Sequence, residues 1–316
     1  MDVTRESGGE AARRSGLLMY PALSRRSGGL SLGVNLFPEG KRCSFDCAYC
    51  EVFPGAEGPP FTIAGLEAEL AAWAVRLSPD PSLPAVDTAG EDSEQGSNRL
   101  PVDIAFAGDG EPTLSPWLGE AIEAIAAARR RWSAVFGAAK LVLITNSTGF
   151  LDEGVSAFLH RAVAIHGLEI WAKLDAGTEA WYRRMDRRGP DFEALCESMA
   201  AFSRRSPIVI QSMFCAIAQE GGTAPLPPPQ REIDEWMGRI ARLLDEGGRL
   251  VEIHVYTQSR PSPHGLTSPL DDDAVATIAR RLSEFLGEDP SRPTKALPII
   301  RAFGKAMELS APGGSF

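Results

Sequence analysis

Six apolar runs of strand length punctuate the chain: SLGVNLF (31–37), VDIAFAG (102–108), KLVLITN (140–146), EIWAKLD (169–175), IVIQSMF (208–214) and LVEIHVYTQ (250–258). Longer amphipathic stretches separate them and predict helices over about 61–77, 115–131, 150–162, 178–204, 231–246 and 271–286. Strand followed by helix, repeated, is the rhythm of parallel strands joined by crossover helices.

Within each strand the period of two separates two faces. One is apolar throughout, with Leu32, Val34 and Leu36, then Ile104 and Phe106, Leu141 and Leu143, Ile170 and Ala172, Ile208 and Ile210, Ile253 and Val255. The other is small or polar: Asn35, Asp103, Ala105, Ala107, Asn146, Lys173, Asp175, Gln211, Glu252, His254, Tyr256 and Gln258. A sheet covered by helices on both faces reads as nearly continuous apolar runs, and a closed eight-stranded barrel fills its interior with bulk. The alternation therefore predicts an α/β fold in which six βα units curve into a half-barrel around a wet or ligand-filled interior. Two stretches, 78–101 and 219–230, are too rich in Pro, Gly and small polar residues to enter a core, and read as surface insertions.

Composition narrows the setting. With 316 residues the chain can bury a core without disulfides, and three of its five cysteines fall within eight residues, too close to pair among themselves. Reduced thiols and a cytoplasmic location are expected. No apolar run approaches the ~20 residues of a membrane span, and the N-terminal stretch lacks the apolar centre of a signal peptide. The net charge of −10 disfavours a broad grip on nucleic acid, and YRRMDRRGP, with Arg183, Arg184, Arg187 and Arg188, reads as a solvated face.

The unusual residues all follow strands: PEGKRCSFDCAYC, GDGEPTL (108–114), TNST (145–148), KLDAG (173–177), QSMFC (211–215) and YTQSRP (256–261). That is where βα folds keep their sites. Three thiolates on one short loop serve a zinc site, an iron–sulfur cluster or no metal. Zinc asks for a fourth Cys or His, and no second CxxC exists, whereas a four-iron cluster with three cysteines keeps one iron open for chemistry.

The spacing Cx3Cx2C of Cys43, Cys47 and Cys50, with Tyr49 before the last cysteine, resembles the radical S-adenosylmethionine (radical SAM) superfamily, and GDGEP resembles its Gly-Gly-Glu motif with Asp109 in place of one glycine. The stretches around these motifs, with LITNST and WAKLDAG, are similar to a group related to the wyosine-type transfer RNA-modifying enzymes. The resemblance implies a partial (β/α)6 TIM-like barrel over 30–286, with extensions at 1–29 and 287–316. It implies a 4Fe-4S cluster on the three cysteines and S-adenosylmethionine on its open iron. Reduction by a flavodoxin- or ferredoxin-like donor would then give a 5′-deoxyadenosyl radical that takes hydrogen from a substrate. Candidate cofactor contacts are Tyr49, Gly108, Asp109, Gly110, Glu111, Asn146, Ser147, Lys173, Asp175 and Gln211, with an internal Lys173–Asp175 ion pair as the rival reading for those two. Tyr256, Glu252, His254 and Cys215 are candidates for acting on the substrate, Arg260 for contacting it, and Cys196 reads as a small buried hydrophobe.

Overall fold

Gly29–Val34 (β2), Asp103–Phe106 (β3), Lys140–Thr145 (β4), Leu168–Lys173 (β5), Ile208–Met213 (β6) and Leu250–Tyr256 (β8) are the six expected strands, each parallel to the next. The computed structural model describes residues 17–52, 58–78, 100–218, 224–259, 262, 264–287, 297–304 and 308–309. Residues 79–99 of the first surface insertion and 219–223 of the second, Arg260 and residues 1–16 lie outside the described residues.

Register follows the apolar pattern. Leu32 stands opposite Ile104, Ile104 opposite Leu141, Leu143 opposite Ile170, Ala172 opposite Ile210, and Ile210 opposite Ile253. A slip by one residue would turn every one of these side chains from the helices to the lumen, so burial fixes the pairing. The helices Ile63–Arg76 (α1), Leu118–Arg131 (α2), Glu153–His166 (α4), Phe192–Arg205 (α6), Gln230–Asp245 (α7) and Asp272–Gly287 (α8) cover this outer face, where the main core sits; Ser133–Phe136 (α3) is one short turn after α2.

Three features depart from the sequence reading. The single helix expected over 178–204 is two, Glu179–Met185 (α5) and α6. Arg187 and Gly189 have positive φ (61° and 152°), Pro190 follows, and Asp191 caps α6 by accepting from the Ala194 N–H, so the chain must turn there. The stretches set aside as extensions contribute to the same sheet. Met19–Ser24 (β1) pairs antiparallel with β2, Ile299–Phe303 (β10) adds a seventh parallel strand beside β8, and Glu308–Leu309 (β11) pairs antiparallel with β10. Pro21 in β1 is tolerated because β1 is an edge strand. A separate two-stranded ribbon joins Cys215–Ile217 (β7) to Thr267–Pro269 (β9).

The third departure is in the lumen. Ala105, Val142, Trp171 and Val209, with Ile144 against them, form an apolar belt across the inner face. The lumen is therefore not polar along its whole length: its middle is remote from water at both mouths, and bulk there is stabilising. Trp171 of this belt borders both a carboxyl-end chamber and a cavity at the amino ends of the strands. Among the described residues no helix is long and apolar enough to cross a membrane.

Candidate functional site

The cysteine loop leaves the carboxyl end of β2 and is fastened to three other segments. Arg42 N–H donates to the Asp109 carbonyl (3.0 Å) and Glu111 N–H to the Arg42 carbonyl (2.8 Å), a short parallel bridge between the cysteine loop and GDGEP. Ser44 Oγ accepts from Asn146 Nδ2 (2.9 Å) and bonds Thr148 Oγ1 (2.9 Å), tying the loop to TNST after β4. The Asp46 and Ala48 N–H groups donate to the Asp186 and Met185 carbonyls (3.1 and 2.8 Å) at the end of α5. Gly110 makes the first bridge possible, since a Cβ there would meet the Arg42 carbonyl and the Phe37 ring. Asn35 completes the seam by donating through Nδ2 to Asp109 Oδ2 (2.8 Å) and accepting the Asp109 N–H (3.1 Å).

Cys43, Cys47 and Cys50 are all reduced and half-buried. Polar donors face two of the sulfurs: Phe45 N–H and Asn146 Nδ2 on Cys43 Sγ (3.4 and 3.6 Å), and Lys41 Nζ on Cys50 Sγ (3.4 Å). Cys47 instead donates to Asp186 Oδ1 (3.3 Å). Burial pushes the Cys43 thiol up to about 11, against the lowering effect of the Phe45 amide, and burial followed by Asp186 raises Cys47. Loading metal on these sulfurs therefore releases protons. Among the described residues no three Cys, His, Asp or Glu side chains converge on one ion-sized point. A cluster asks something different of them, one thiolate per iron, and the chemistry of a three-thiol loop with N–H donors aimed at its sulfurs fits that group.

Glu111 is spent inside the protein. Its buried carboxylate accepts Thr113 N–H (3.1 Å), Thr113 Oγ1 (2.7 Å) and Thr145 Oγ1 (2.7 Å) on one oxygen and Asn146 N–H (2.7 Å) on the other. Burial raises its pKa and these donors oppose the shift. It positions TNST relative to GDGEP. Asn146 Oδ1 is taken by Thr148 N–H and Oγ1 (3.0 and 2.8 Å), and Ser147, at φ 72°, reaches the Lys173 carbonyl (3.3 Å).

Lys173 and Asp175 pair internally at 3.1 Å. Asp175 also accepts Tyr49 Oη (2.5 Å) and Met213 N–H (2.8 Å), and Lys173 Nζ donates to Tyr256 Oη (2.7 Å). Burial opposes the lysine charge, but Asp175 and Tyr256 outweigh it and raise the pKa, so the ammonium persists. Tyr49, Lys173, Asp175 and Tyr256 thus form one cluster beside the cysteine loop. Glu232 of α7 braces the KLDAG turn by accepting Gly177 N–H, Thr178 N–H (3.1 Å) and Thr178 Oγ1 (2.6 Å).

The other candidates are not brought there. Gln211, His254 and Glu252 make a separate chain down the lumen: Gln211 Nε2 meets His254 Nδ1 (3.2 Å), His254 Nε2 meets Glu252 Oε2 (2.8 Å), and Arg301 Nε donates to the same oxygen (3.0 Å). Glu252 lines a cavity of about 590 Å³ with Asp103, Lys140 and Glu169, all at strand amino ends and away from the cysteines. Cys215 is fully buried with its thiol 3.7 Å from Met185 Sδ, and burial raises it to about 12. Cys196 packs partly buried against the core from α6.

Asp186 is the residue the sequence reading missed. Buried between Cys47 and the Asp175 cluster, it belongs to the segment read as solvated. The available signal was Trp181, Tyr182 and Met185, whose spacing puts an apolar face on that arginine-rich helix.

No family model matches the sequence. Two Helicobacter pylori proteins described as "UPF0026 protein" are 27% identical over 192 residues, 60% of this chain and 52% of theirs; the chain spans about half the length of these curated relatives. A solved spore photoproduct lyase, a cysteine-to-alanine mutant, superposes with TM-score 0.50 at 12% identity over 91% of this chain and 79% of its own. A radical SAM methyltransferase from Sphaerobacter thermophilus gives 0.47 at 13% identity, over 87% and 66%. The fold shared with that lyase is a partial TIM-like barrel.

Proposed function

We propose that this chain is a radical SAM enzyme in which Cys43, Cys47 and Cys50 hold a 4Fe-4S cluster and Tyr49, Gly108, Asp109, Gly110, Asn146, Ser147 and Lys173 surround S-adenosylmethionine. The observation that supports it best is the seam itself: a Cx3Cx2C loop at the carboxyl ends of this barrel, bonded to GDGEP, TNST and the end of α5. When bound, the cluster supplies the electron that splits S-adenosylmethionine and starts hydrogen abstraction. The chain's own residues do the rest. Gly110 brings backbone against backbone, Glu111 fixes the spacing of two loops, Lys173 offers a cation held in place by Asp175, and Lys41, Asn146 and the Phe45 amide donate toward sulfur.

Anaerobic reconstitution with iron and sulfide, dithionite reduction and mass spectrometry for 5′-deoxyadenosine test the reading. Bound iron with no 5′-deoxyadenosine would make the chain a binding or sensing module instead. The motif resemblance adds wyosine-type transfer RNA modification as a substrate reading, opposed by the −10 charge, with protein or peptide modification beside it. Gel shift with transfer RNA separates the two. The reductant in this reading is a flavodoxin- or ferredoxin-like donor.

A further inference from the structure

We infer that the substrate presents an anionic group, a carboxylate or a phosphate, to Arg26 inside the barrel; this rests on the radical SAM reading of the neighbouring site. Arg26 comes from the turn between β1 and β2, which is held rigidly. Gly28 N–H donates to the Ser24 carbonyl (2.8 Å), Ser27 N–H to Ser24 Oγ (3.1 Å), and Gly28 takes φ 75°. From there the side chain enters the lumen. Nη1 donates to Gln211 Oε1 on β6 (2.8 Å), and the guanidinium lies 4.7 Å from the centroid of the Tyr256 ring on β8.

These contacts hold the cation without neutralising it. One is a neutral amide and the other a ring, and among the described residues Asp103 acts on Arg26 only electrostatically, with no ion pair. The contrast with Lys173 is direct, since that cation near the same ring has Asp175 at 3.1 Å. Gln211 engages one of the five guanidinium donors, which leaves the fork for a two-oxygen anion. Arg26 borders both the amino-end cavity and the carboxyl-end chamber of about 280 Å³, whose wall includes Arg25, Tyr256, Met213, Trp171 and Glu51, the last adjoining Cys50. A small anionic group seated on Arg26 therefore stands within the chamber that opens toward the cysteine loop. Arg26 comes from the β1–β2 turn and meets the Tyr256 ring, whereas the Lys173–Asp175–Tyr49 cluster engages the Tyr256 hydroxyl; that different contact assigns the anion on Arg26 to substrate rather than to the carboxylate of S-adenosylmethionine.

The test uses the full chain free of cluster, titrated calorimetrically at constant ionic strength with inorganic phosphate and, separately, with glutarate. Saturable binding of at least one is expected, weakened tenfold or more by Arg26→Gln and about threefold by Arg26→Lys, which keeps the charge and loses the fork. Arg280→Gln, on α8 and in neither cavity, should bind like wild type. Whichever anion binds more tightly distinguishes phosphate from carboxylate. Thermal melts confirm folding, and Arg26→Lys carries the comparison if Arg26→Gln does not fold. No saturable binding of either anion, or unchanged binding in Arg26→Gln, overturns the inference. So does competition between the anion and S-adenosylmethionine on reconstituted protein, which would give the site to the cofactor. Failure of the radical reading shows separately, as absent 5′-deoxyadenosine, and leaves the anion titration readable.

Discussion

The two mouths of the half-barrel are built from the same parallel strands with the same alternation, yet they differ in how their polar groups are employed. At the amino ends Glu252 is shared between His254 and Arg301, and Glu169 pairs with Lys140 at 3.0 Å. These are charges satisfying one another. At the carboxyl ends the polar groups tie together loops from different strands, as Glu111 does with Asn146, Asn35 with Asp109 and Tyr49 with Asp175, and the three thiols are left as the reactive groups. Satisfied side-chain pairs stabilise a scaffold, whereas loop-to-loop bonding holds reactive groups at fixed separations.

Breaking the carboxyl-end mouth should give the largest effects. Cys43→Ala, Cys47→Ala or Cys50→Ala is expected to abolish iron and sulfide retention after reconstitution, while Cys196→Ala keeps both; metal analysis and the visible spectrum report this. Gly110→Ala forces the seam apart and should cost about 1–3 kcal/mol of stability by denaturant titration, with reduced iron retention. Lys173→Met strands the buried Asp175 carboxylate, at about 3 kcal/mol, and is expected to retain iron but weaken S-adenosylmethionine binding at least tenfold by calorimetry. Equal iron loss from Cys196→Ala, or full cofactor affinity without Lys173, would erase the distinction between the mouths.

The amino-end mouth sharpens the comparison through a small, pH-dependent effect. Glu252 is held down to about 2, first by its hydrogen bond to His254 and then by Arg301. Its contribution is present above the ordinary value of 4.5 and lost as pH falls from there toward 2. Glu252→Gln should thus lower stability at pH 7 by under about 1 kcal/mol, the carboxylate being partly solvated, and the difference should shrink at pH 3. Cofactor cleavage should be unchanged in this variant. Melting curves at both pH values and a 5′-deoxyadenosine assay check the two halves.

The sequence by itself determined the strand order, the outward apolar face and the loop positions of GDGEP, TNST, KLDAG and the three cysteines. A period of two and a strand-to-helix rhythm are local properties, and a slip in register would be penalised along the whole outer face. Only the tertiary structure decided which of the inward polar residues meet. Lys173 and Tyr256, 83 positions apart, touch, while Glu252, only four residues before Tyr256 on the same strand face, ends in the cavity at the other mouth. Alternation gives a side and not a depth, because strands rise ~3.3 Å per residue and four residues span much of a barrel's height. Likewise Asp186 and Arg26 enter the lumen from a helix end and a hairpin turn, elements whose sequence pattern carries no information about what lies across the barrel. Their positions follow from how the sheet closes, which brings segments remote in sequence within hydrogen-bonding reach of one another.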